Sequence, residues 1–455
     1  MNYNEIIKKQ TDYFNSNQTK NIGFRIEQLE KLKFVIKNYE LALYEAIYSD
    51  FKKSEFDTYA TELGLIYHEI DIAIKELPKW AKRKSAKTNI TNFPSRSYII
   101  PEPLGVCLII GAWNYPYQLS LGPTVAAIAA GNTVVLKPSE IPTATSSVLT
   151  KLINDNFSSE FIIVIEGGIH ETTELLDQKF DKIFFTGSCA IGRIVYQAAA
   201  KNLTPVTLEL GGKSPAIITA NSNLKQSAKR LVWAKFINAG QTCIAPDYIM
   251  VDETVKDELL LQLKRYIEKF DYSFENNNYV QIINERNFNR LVELIDETKI
   301  YHGGKTNLQN LYFAPTILTD ITFNDKVMND EIFGPILPVI SYSNLDEAIA
   351  KIKSRPKPLA CYIFTNDKTI RNKLLSEISF GGGAINDAVM HVSNSNIPFG
   401  GVGNSGIGSY HGDAGFATFS HYKSILDKPF WLEPNLKYPP YTAKKLWWIK
   451  WFMRL

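Results

Sequence analysis

Cysteine, long apolar runs and an excess of one charge are all scarce in this chain of 455 residues. Its 4 cysteines are far apart and form no CxxC pair, which excludes a disulfide framework and favours a thiol-reducing compartment. The 50 Lys and Arg residues nearly balance the 47 Asp and Glu residues, so no nucleic acid partner is expected. No uncharged apolar run reaches the roughly 18 residues of a membrane span, and segment 1–20 lacks the apolar core of a secretory signal. We therefore expect a cytoplasmic location.

The composition that remains is that of a folded globular protein. Hydrophobic residues make up 45% and charged residues 21%, which excludes overall disorder. At roughly 150 residues per domain, the length predicts two or three domains. No metal site is expected.

Strands alternate with helices along most of the sequence. Segment 4–84 has the apolar spacing of helices, and a short strand bounded by proline follows at 97–100. The next apolar stretches of strand length are 106–110, 124–130, 133–136, 161–165, 182–186 and 206–210. A second alternation begins after Gly211. The pattern predicts an α/β fold with two doubly wound, mostly parallel sheets, in which ligands bind at the carboxyl ends of the strands.

The same pattern divides the chain into functional segments. We expect a cofactor-binding domain over 1–210, with a bridging strand at about 93–101, and a catalytic domain over 211–395. Segment 396–425 is predicted to return to the cofactor and bridging region, and 426–455 to form a tail.

Two predicted strand ends carry residues suited to a dinucleotide. The strand at 182–186 runs into Gly187 and Ser188, followed by a helix that contains Gly192, and backbone amides at a helix start attract phosphate. Many such turns hold glycine for packing alone, so both interpretations stay open. Lys137 and Glu140 follow the strand at 133–136, where they would hold ribose hydroxyls or form an exposed ion pair.

Glu209 and Cys243 are the candidates for acid–base and nucleophilic chemistry. Glu209 lies between leucines, where burial raises a carboxyl pKa towards that of a general base; the alternative is a strand-end carboxylate satisfied by backbone amides. Cys243 lies in a loop of small residues, where a substrate has access to its thiolate. Cys107 and Cys361 fall in apolar strands and are predicted to be inert core thiols. Cys189 lies in the glycine turn, without a base in its own segment.

Six short motifs occur along the chain in a characteristic order. They are Trp113-Asn114-Tyr115-Pro116, Phe185-Thr186-Gly187-Ser188, Glu209-Leu210-Gly211-Gly212-Lys213, Gly240-Gln241-Thr242-Cys243, Glu331-Ile332-Phe333-Gly334-Pro335 and Pro398-Phe399-Gly400-Gly401. In this order they resemble the aldehyde dehydrogenase superfamily, and the likeness runs from the first helices to Lys423. The short N-terminal helices and the segments 243–248 and 406–412 are most similar to the class-three branch.

This resemblance implies roles for particular residues. Cys243 would add to the aldehyde carbonyl, and the Asn114 amide with the Cys243 N–H would hold the oxyanion. Hydride transfer would leave a thioester, which water activated by Glu209 would hydrolyse. The cofactor positions implied by similarity are Lys137 and Glu140 at the adenosine ribose, Gly187, Ser188 and Gly192 at the pyrophosphate turn, Glu331 at the nicotinamide ribose, and Phe333 packed at that end.

Two carboxylates bear on the subclass and the cofactor. Similar enzymes that pass the acyl group to coenzyme A typically lack the acid at Glu209, so its presence favours release of a free carboxylic acid. Glu140 should repel a 2′-phosphate, yet class-three enzymes often accept both cofactors, so we expect NAD with possible use of NADP. The alternatives are a coenzyme A-acylating or reductive enzyme, a non-enzymatic relative of the fold, and a cysteine hydrolase that needs no nicotinamide.

The substrate is expected to be a small-molecule aldehyde, either medium or long aliphatic or aromatic. Tyr115, Trp233 and Thr242 match positions at the substrate site, and aromatic walls favour apolar aldehydes. Simple core packing is an equally weighted alternative for Trp233. His391 and His411 receive no catalytic role, because structural hydrogen bonding is the commoner use of a lone histidine.

The C-terminal tail is basic and aromatic. Segment 442–455 combines Lys444, Lys445, Lys450 and Arg454 with three tryptophans, a composition typical of a helix at a membrane interface. It is too short to span a membrane, and docking on the enzyme's own surface is the alternative. The resemblance also suggests a homodimer, in which the strand near Ser97 and segment 416–423 form a bridging flap.

Overall fold

The computed structural model describes residues 2–454, which fold into an α/β structure. Polar side chains begin many of its helices: Asn21, Ser188 and Asp367, for example, each accept a hydrogen bond from a backbone N–H of the following turn. In chain order the helices are α1 (Tyr3–Asn15), α2 (Ile22–Asn38), α3 (Glu40–Phe51), α4 (Glu55–Thr58), α5 (Gly64–Trp80), α6 (Gln118–Ala130), α7 (Thr143–Asn154), α8 (Ile169–Leu176), α9 (Cys189–Ala200), α10 (Leu224–Phe236), α11 (Lys256–Phe270), α12 (Glu285–Val292), α13 (Leu345–Lys353), α14 (Lys368–Glu377), α15 (Gly412–Thr418) and α16 (Ala443–Phe452).

The strands form two large sheets, a three-stranded sheet and a short hairpin. In chain order they are β1 (Lys84–Ala86), β2 (Arg96–Pro103), β3 (Val106–Ile110), β4 (Thr133–Lys137), β5 (Ile162–Val164), β6 (Lys182–Thr186), β7 (Val206–Glu209), β8 (Pro215–Ile218), β9 (Tyr248–Asp252), β10 (Ile300–His302), β11 (Thr306–Asn307), β12 (Tyr312–Phe313), β13 (Thr316–Leu318), β14 (Ile336–Tyr342), β15 (Ala360–Phe364), β16 (Gly382–Ile385), β17 (Gly406–Ile407) and β18 (Ser420–Asp427).

The first large sheet has the strand order β17-β7-β6-β3-β4-β5, and only the β17–β7 pair is antiparallel. Its central strands are buried along their whole length, as expected for a parallel sheet covered on both faces. Thr186 is the register partner of Glu209, and Ile110 pairs with both Lys137 and Phe185. The carboxyl ends of β4, β6 and β7 therefore lie along one edge.

The second large sheet has the order β10-β13-β14-β9-β8-β15-β16, with only β10 antiparallel to its neighbour. The loop that carries Cys243 precedes β9, and Glu331 precedes the adjacent strand β14. These residues therefore lie at the amino ends of their strands. The candidate residues of the first sheet thus lie at carboxyl ends, where ligands are expected, whereas those of the second lie at amino ends. Both sets form groups because loops before adjacent parallel strands also meet at one edge.

A three-stranded antiparallel sheet, β1-β2-β18, lies apart from the two large sheets. Every residue of β2 from Arg96 to Pro103 has a register partner in β18. A strand is therefore present within the bridging segment predicted at about 93–101. Pairing with β18 extends the predicted core of 97–100 to Arg96–Pro103.

Segment 124–130 is helical. The sequence pattern includes it among the apolar stretches of strand length, and this expectation is wrong. The segment forms the second half of α6, in which nearly every residue is buried. A helix buried on all sides shows no period of 3.6 in its apolar residues, so pattern alone cannot separate it from a buried strand. The turn at Gly131, with a left-handed φ of 95°, ends this helix.

Candidate active site

The loop before Cys243 has an unusual left-handed backbone. Asn238, Ala239 and Gly240 have φ values of 52°, 50° and 71°, a conformation that costs energy at any residue except glycine. Asn238 Nδ2 donates to the carbonyl oxygens of Asn114 at 2.9 Å and Gln241 at 3.2 Å. A Cβ on Gly240 would lie 2.3 Å from the carbonyl oxygen of Gly334, so glycine is required there. The surroundings thus hold Cys243 in a fixed, strained loop.

Side-chain amides connect this loop to the segment that contains Asn114. Asn114 is 3% exposed, and its Nδ2 donates to the carbonyl oxygen of Gln241 at 3.0 Å. The Gln241 side chain donates to the Asn238 carbonyl at 3.1 Å and accepts from the Ile283 N–H at 3.0 Å. Sequence reasoning assigned nothing to Asn238 and Gln241, although an Asn two residues before a glycine is a signal for left-handed backbone.

The residues predicted at the substrate site divide into two groups. The Tyr115 hydroxyl lies 2.6 Å from Thr242 Oγ1, so these two side chains meet beside Cys243. Trp233 is 38% exposed and lines a small cleft of about 80 Å³, whose other lining residues include Phe236, Tyr272, Asp57 and Asn238 of the cysteine loop. Simple core packing therefore does not describe Trp233.

Glu209 ends strand β7 and is only 3% exposed. Neither of its carboxylate oxygens has a hydrogen-bond partner among the residues that the structure describes. Burial raises the pKa of this carboxyl well above its ordinary value. The alternative of a carboxylate satisfied by backbone amides is wrong, because the strand end leaves both oxygens free for a reactant.

The Cys243 thiol lies within electrostatic reach of two carboxyl groups. Burial, followed by the charges of Glu331 and Glu209, raises the pKa of Cys243 to about 12. Cys361 and Cys107 are buried in their strands, as predicted, and burial raises the pKa of each thiol. Cys243 differs from them in its partial exposure and in the acids that surround it.

Glu331 is held against the backbone that follows strand β7. A Cβ on Gly211 would lie 2.0 Å from Glu331 Oε2, so only glycine allows the carboxylate this position. Burial, with a smaller effect from Asp247, raises the pKa of Glu331 to about 8. The motif at 209–213 and the motif at 331–335 therefore meet in space.

A buried ion pair between Lys213 and Asp247 fixes the Glu331 loop. Lys213 Nζ also donates to the carbonyl oxygen of Asp330 at 2.9 Å, and Asp247 accepts from the Ile332 N–H at 2.9 Å. Residue spacing does not indicate this pair, because its members belong to two separate motifs.

Phe333 lies in the same loop with a left-handed φ of 47°, which is strained for a bulky residue. Its ring packs edge-to-face on Trp113, with 5.3 Å between ring centroids. This contact brings Phe333 next to the segment that carries Asn114.

Lys137 and Glu140 lie at the carboxyl end of β4. Lys137 is 1% exposed, and its Nζ donates to the Pro138 carbonyl at 2.7 Å and lies 3.8 Å from Glu140 Oε2. Burial lowers the pKa of this lysine. The alternative of an exposed ion pair is wrong for Lys137, because its ammonium group is buried.

The glycine turn after β6 is tied to the strand that ends at Glu209. The Gly187 N–H donates to the Glu209 carbonyl at 3.0 Å, and Ser188 caps helix α9 through its hydroxyl. Cys189 is the first helical residue and is partly exposed. Gly192 lies one turn further on, where a Cβ would come within 2.6 Å of a Leu210 methyl group. The structure thus gives Gly192 a packing contact between α9 and the sheet.

The two histidines near the site stack on one aromatic ring. His391 and His411 lie on Phe399, with 6.0 Å and 5.4 Å between ring centroids and interplanar angles of 29° and 16°. None of their four ring nitrogens has a hydrogen-bond partner within residues 2–454. Burial, with the neighbouring His411, lowers the pKa of His391 to about 4. The expectation of structural hydrogen bonding is therefore wrong, and these rings pack by stacking.

The fold and the groups gathered between its two sheets are those of a nicotinamide-linked oxidoreductase. The model of the aldehyde dehydrogenase family matches residues 1–425. A 4,4'-diaponeurosporen-aldehyde dehydrogenase of Staphylococcus aureus is 48% identical, over 95% of this chain and 95% of that protein. A Mus musculus protein named aldehyde dehydrogenase, dimeric NADP-preferring, is 45% identical over 97% and 99% of the two chains. The solved substrate-bound state of Staphylococcus aureus AldH matches with a TM-score of 0.97 and 46% identity over 100% of both chains.

The chain belongs to the aldehyde dehydrogenase family. It is an NAD(P)-dependent aldehyde dehydrogenase, which oxidises aldehydes to carboxylic acids. The predicted fold class and the predicted resemblance are both confirmed. In the part of the chain that the structure describes, no helix has the length and apolarity needed to cross a bilayer.

Proposed function

We propose that Cys243, Glu209 and Asn114 carry the reaction. The observation that supports this assignment best is the buried Glu209 carboxyl, whose two oxygens have no partner in the described structure. Buried polar groups are almost always hydrogen-bonded, so an unpartnered acid next to a cysteine is suited to hold a water molecule. Asn114 contacts the cysteine loop directly, because its Nδ2 donates to the Gln241 carbonyl at 3.0 Å.

In the proposed mechanism Cys243 releases its proton to solvent, its sulfur forms a C–S bond with the aldehyde carbon, and the carbonyl oxygen takes up the negative charge. The Asn114 amide and the Cys243 N–H donate hydrogen bonds to this oxyanion. When bound, the nicotinamide cofactor supplies the acceptor for the hydride that leaves the same carbon. The acyl group then remains on Cys243 as a thioester. Glu209 takes a proton from water, whose oxygen attacks the thioester carbon. The C–S bond then breaks, the carboxylic acid leaves, and the proton passes from Glu209 to the Cys243 sulfur.

The described residues fit a dinucleotide. Lys137 and Glu140 lie at a strand end where a buried ammonium and a carboxylate can hold ribose hydroxyls. The backbone N–H groups at the start of α9, next to Gly187 and Ser188, suit a pyrophosphate. Glu331 would hold the nicotinamide ribose, and Phe333 would pack against the nicotinamide end of the cofactor. We propose that NAD is preferred, because the Glu140 carboxylate repels a 2′-phosphate.

We propose an apolar aldehyde, medium or long aliphatic or aromatic, as the substrate. Support comes from the contact between Tyr115 and Thr242 beside the cysteine and from the aromatic cleft at Trp233. The name of the 48% identical relative specifies 4,4'-diaponeurosporen-aldehyde as its substrate. Reaction rates with aldehydes of increasing chain length, measured with NAD and with NADP, test both assignments.

Replacement of the proposed nucleophile tests the reaction. The Cys243→Ala variant should lose aldehyde-dependent formation of NADH and still bind NAD, because the cofactor contacts lie elsewhere. Cys361→Ala is the matched control and should keep its turnover, since that thiol is buried in a strand. Turnover at the wild-type rate in Cys243→Ala would remove the cysteine from the mechanism.

We propose that the chain is divided at the predicted boundaries into 1–210, 211–395, 396–425 and 426–455. We also propose that two copies of the chain form a dimer. The long β2–β18 pairing supports a bridging flap, and the related mouse enzyme is named as dimeric. Molar mass measured by light scattering would give about one chain instead of two if the dimer is wrong. A cytoplasmic location also stays a prediction.

We propose that helix α16 binds a lipid surface peripherally. Leu446, Trp447 and Trp451 are 53%, 59% and 47% exposed, so these apolar side chains are not covered by the enzyme's own surface. Lys444, Lys445 and Lys450 lie on the same helix, and no acid follows Glu433. This combination suits an anionic membrane interface.

A truncated chain that ends at Pro440 tests the tail. The full chain should float with anionic phosphatidylserine vesicles and the truncated chain should not, while both keep the same turnover with a soluble aldehyde. Equal flotation of the two chains, or flotation of neither, contradicts the proposal.

A further inference from the structure

Lys53 and Glu62 form a fully buried ion pair behind the segment that carries Asn114 and Tyr115. Lys53 lies just after helix α3, and Glu62 lies in a π-helical turn, Tyr59–Leu63, that precedes α5. Lys53 Nζ is 2.6 Å from Glu62 Oε1, and the two side chains are 1% and 0% exposed. The mechanism proposed above uses neither residue.

A buried ion pair needs an explanation other than stability. The solvation free energy that two charges lose on burial usually exceeds the free energy gained from their attraction. Two apolar side chains of similar volume often stabilise a fold to the same extent. The function of this pair is therefore indicated by the groups that it contacts.

Glu62 holds the backbone that follows Asn114 and Tyr115. Its second oxygen, Oε2, accepts hydrogen bonds from the N–H groups of Tyr117 at 2.8 Å and Gln118 at 3.3 Å. These N–H groups lie at the start of helix α6, where no carbonyl of the helix can accept from them. The carboxylate thus fixes the point at which the Asn114 segment enters α6.

Lys53 contacts a side chain of the same segment, whereas Glu62 contacts its backbone. Its Nζ lies 4.3 Å from the centroid of the Tyr115 ring, within the range of a cation–π interaction. The hydroxyl of that ring lies 2.6 Å from Thr242 Oγ1, one residue before Cys243. A continuous path of contacts therefore leads from the ion pair to the cysteine loop.

Glu62 lies within a π-helical turn, an irregular form of helix. Each residue of an α-helix advances by about 100°, so the extra residue of a π turn shifts the following face by that amount. Such turns are rare, and they occur frequently at functional sites. Here the turn contains Glu62, and the side chain is buried where it meets Lys53.

We propose that Lys53 and Glu62 are positioning residues that hold Asn114 and Tyr115 against the Cys243 loop. The inference rests on the roles proposed above for Asn114 and Cys243. Loss of the pair should let the Asn114 amide move away from the oxyanion position, which lowers kcat. It should also loosen Tyr115, which raises the KM for the aldehyde. NAD binding should not change, because the cofactor residues lie on other elements.

The test is the paired variant Lys53→Met with Glu62→Gln, which removes both charges and keeps the side-chain volume and the acceptor for the Tyr117 N–H. We expect kcat to fall by roughly tenfold to a hundredfold, because a displacement of about 1 Å at a site can cost that much. The KM for the aldehyde should rise severalfold, and the Kd for NAD should stay within about twofold. Rates are expressed per NAD-binding site, so that unfolded molecules do not count.

The matched control is Lys299→Met with Asp325→Asn, which removes a less buried ion pair next to the edge strand β10. This control variant should have the wild-type kcat and KM. If the first variant does not fold, Glu62→Gln alone is measured in the same way. Wild-type kcat and KM per NAD-binding site in a folded Lys53/Glu62 variant would overturn the inference, even if its melting temperature falls. If Cys243→Ala keeps the wild-type turnover, the proposed function fails instead.

Discussion

Two buried glutamates of this protein have opposite surroundings. Glu62 is 0% exposed and has three partners, namely the Lys53 ammonium and the N–H groups of Tyr117 and Gln118. Glu209 is 3% exposed, and neither oxygen has a partner in the described structure. The same side chain is therefore a structural tie in one region and a group left free for a reactant in the other.

The difference shows where the fold accepts a local cost. The desolvation cost of a buried carboxylate is offset when the group is hydrogen-bonded. A buried carboxylate without hydrogen bonds has the same desolvation cost and nothing that offsets it. Natural proteins tolerate such penalties mainly at functional sites, where activity and stability are in conflict. The comparison between Glu62 and Glu209 thus makes predictions about both activity and stability.

The largest expected effect is on turnover. Glu209→Gln should slow hydrolysis of the thioester by about 10² to 10⁴-fold, the usual contribution of a general base. Hydride transfer should be less affected, so rapid mixing should show a burst of about one NADH per site before a slow steady state. Glu160→Gln, at an exposed acid, is the control and should behave as the wild type. Full steady-state turnover in Glu209→Gln would show that another group activates the water.

The second effect is on stability at the satisfied carboxylate. Glu62→Ala should lower the free energy of unfolding by about 3–5 kcal/mol, because Lys53 is left charged and buried without a partner. Denaturant titration measures the change, and Glu160→Ala should stay within about 0.5 kcal/mol of the wild type. The variant Lys53→Met with Glu62→Leu should recover most of the loss. A small effect of Glu62→Ala would mean that the pair is hydrated in solution.

The smallest effect is a gain in stability at the free carboxylate. Because the folded pKa of Glu209 is raised, the folded state binds its proton more tightly than the unfolded state does. Stability therefore falls as the pH rises above the unfolded pKa. Glu209→Gln removes this dependence and should raise the free energy of unfolding by about 1–2 kcal/mol at pH 8.

The pH dependence of that gain supplies its control. The difference between Glu209→Gln and the wild type should shrink as the pH falls through the ordinary pKa of a glutamic acid, since below it the folded and unfolded carboxyls are both protonated. A gain that is independent of pH, or a loss of stability at pH 8, contradicts an unsatisfied carboxylate at this position.

Much of the architecture was predictable because it depends on local patterns. Alternation of strands and helices predicted two doubly wound sheets, and both are present. The inert thiols Cys107 and Cys361 were predicted from their apolar strands, and both are buried. Segment 124–130 escaped this reasoning, because a helix buried on every side lacks the amphipathic period.

The candidate site was predictable only in part. The order of the motifs along the chain was enough to bring Cys243, Glu209, Asn114 and Glu331 together as candidates. The sequence pattern could not show the Lys213–Asp247 tie, nor the stacking of two histidines on one ring. These arrangements depend on which distant loops meet, and no local spacing records that.

By itself, the sequence determined most element types, the identities of the reactive side chains and the basic, aromatic character of the tail, because these follow from residue chemistry and local periodicity. The tertiary structure decided the environment of each group. Cys243 and Cys361 carry the same functional group, a thiol, and Glu62 and Glu209 both carry a carboxyl group. Their protonation and their partners are set by burial and by neighbours from distant segments, and these exist only once the chain has folded.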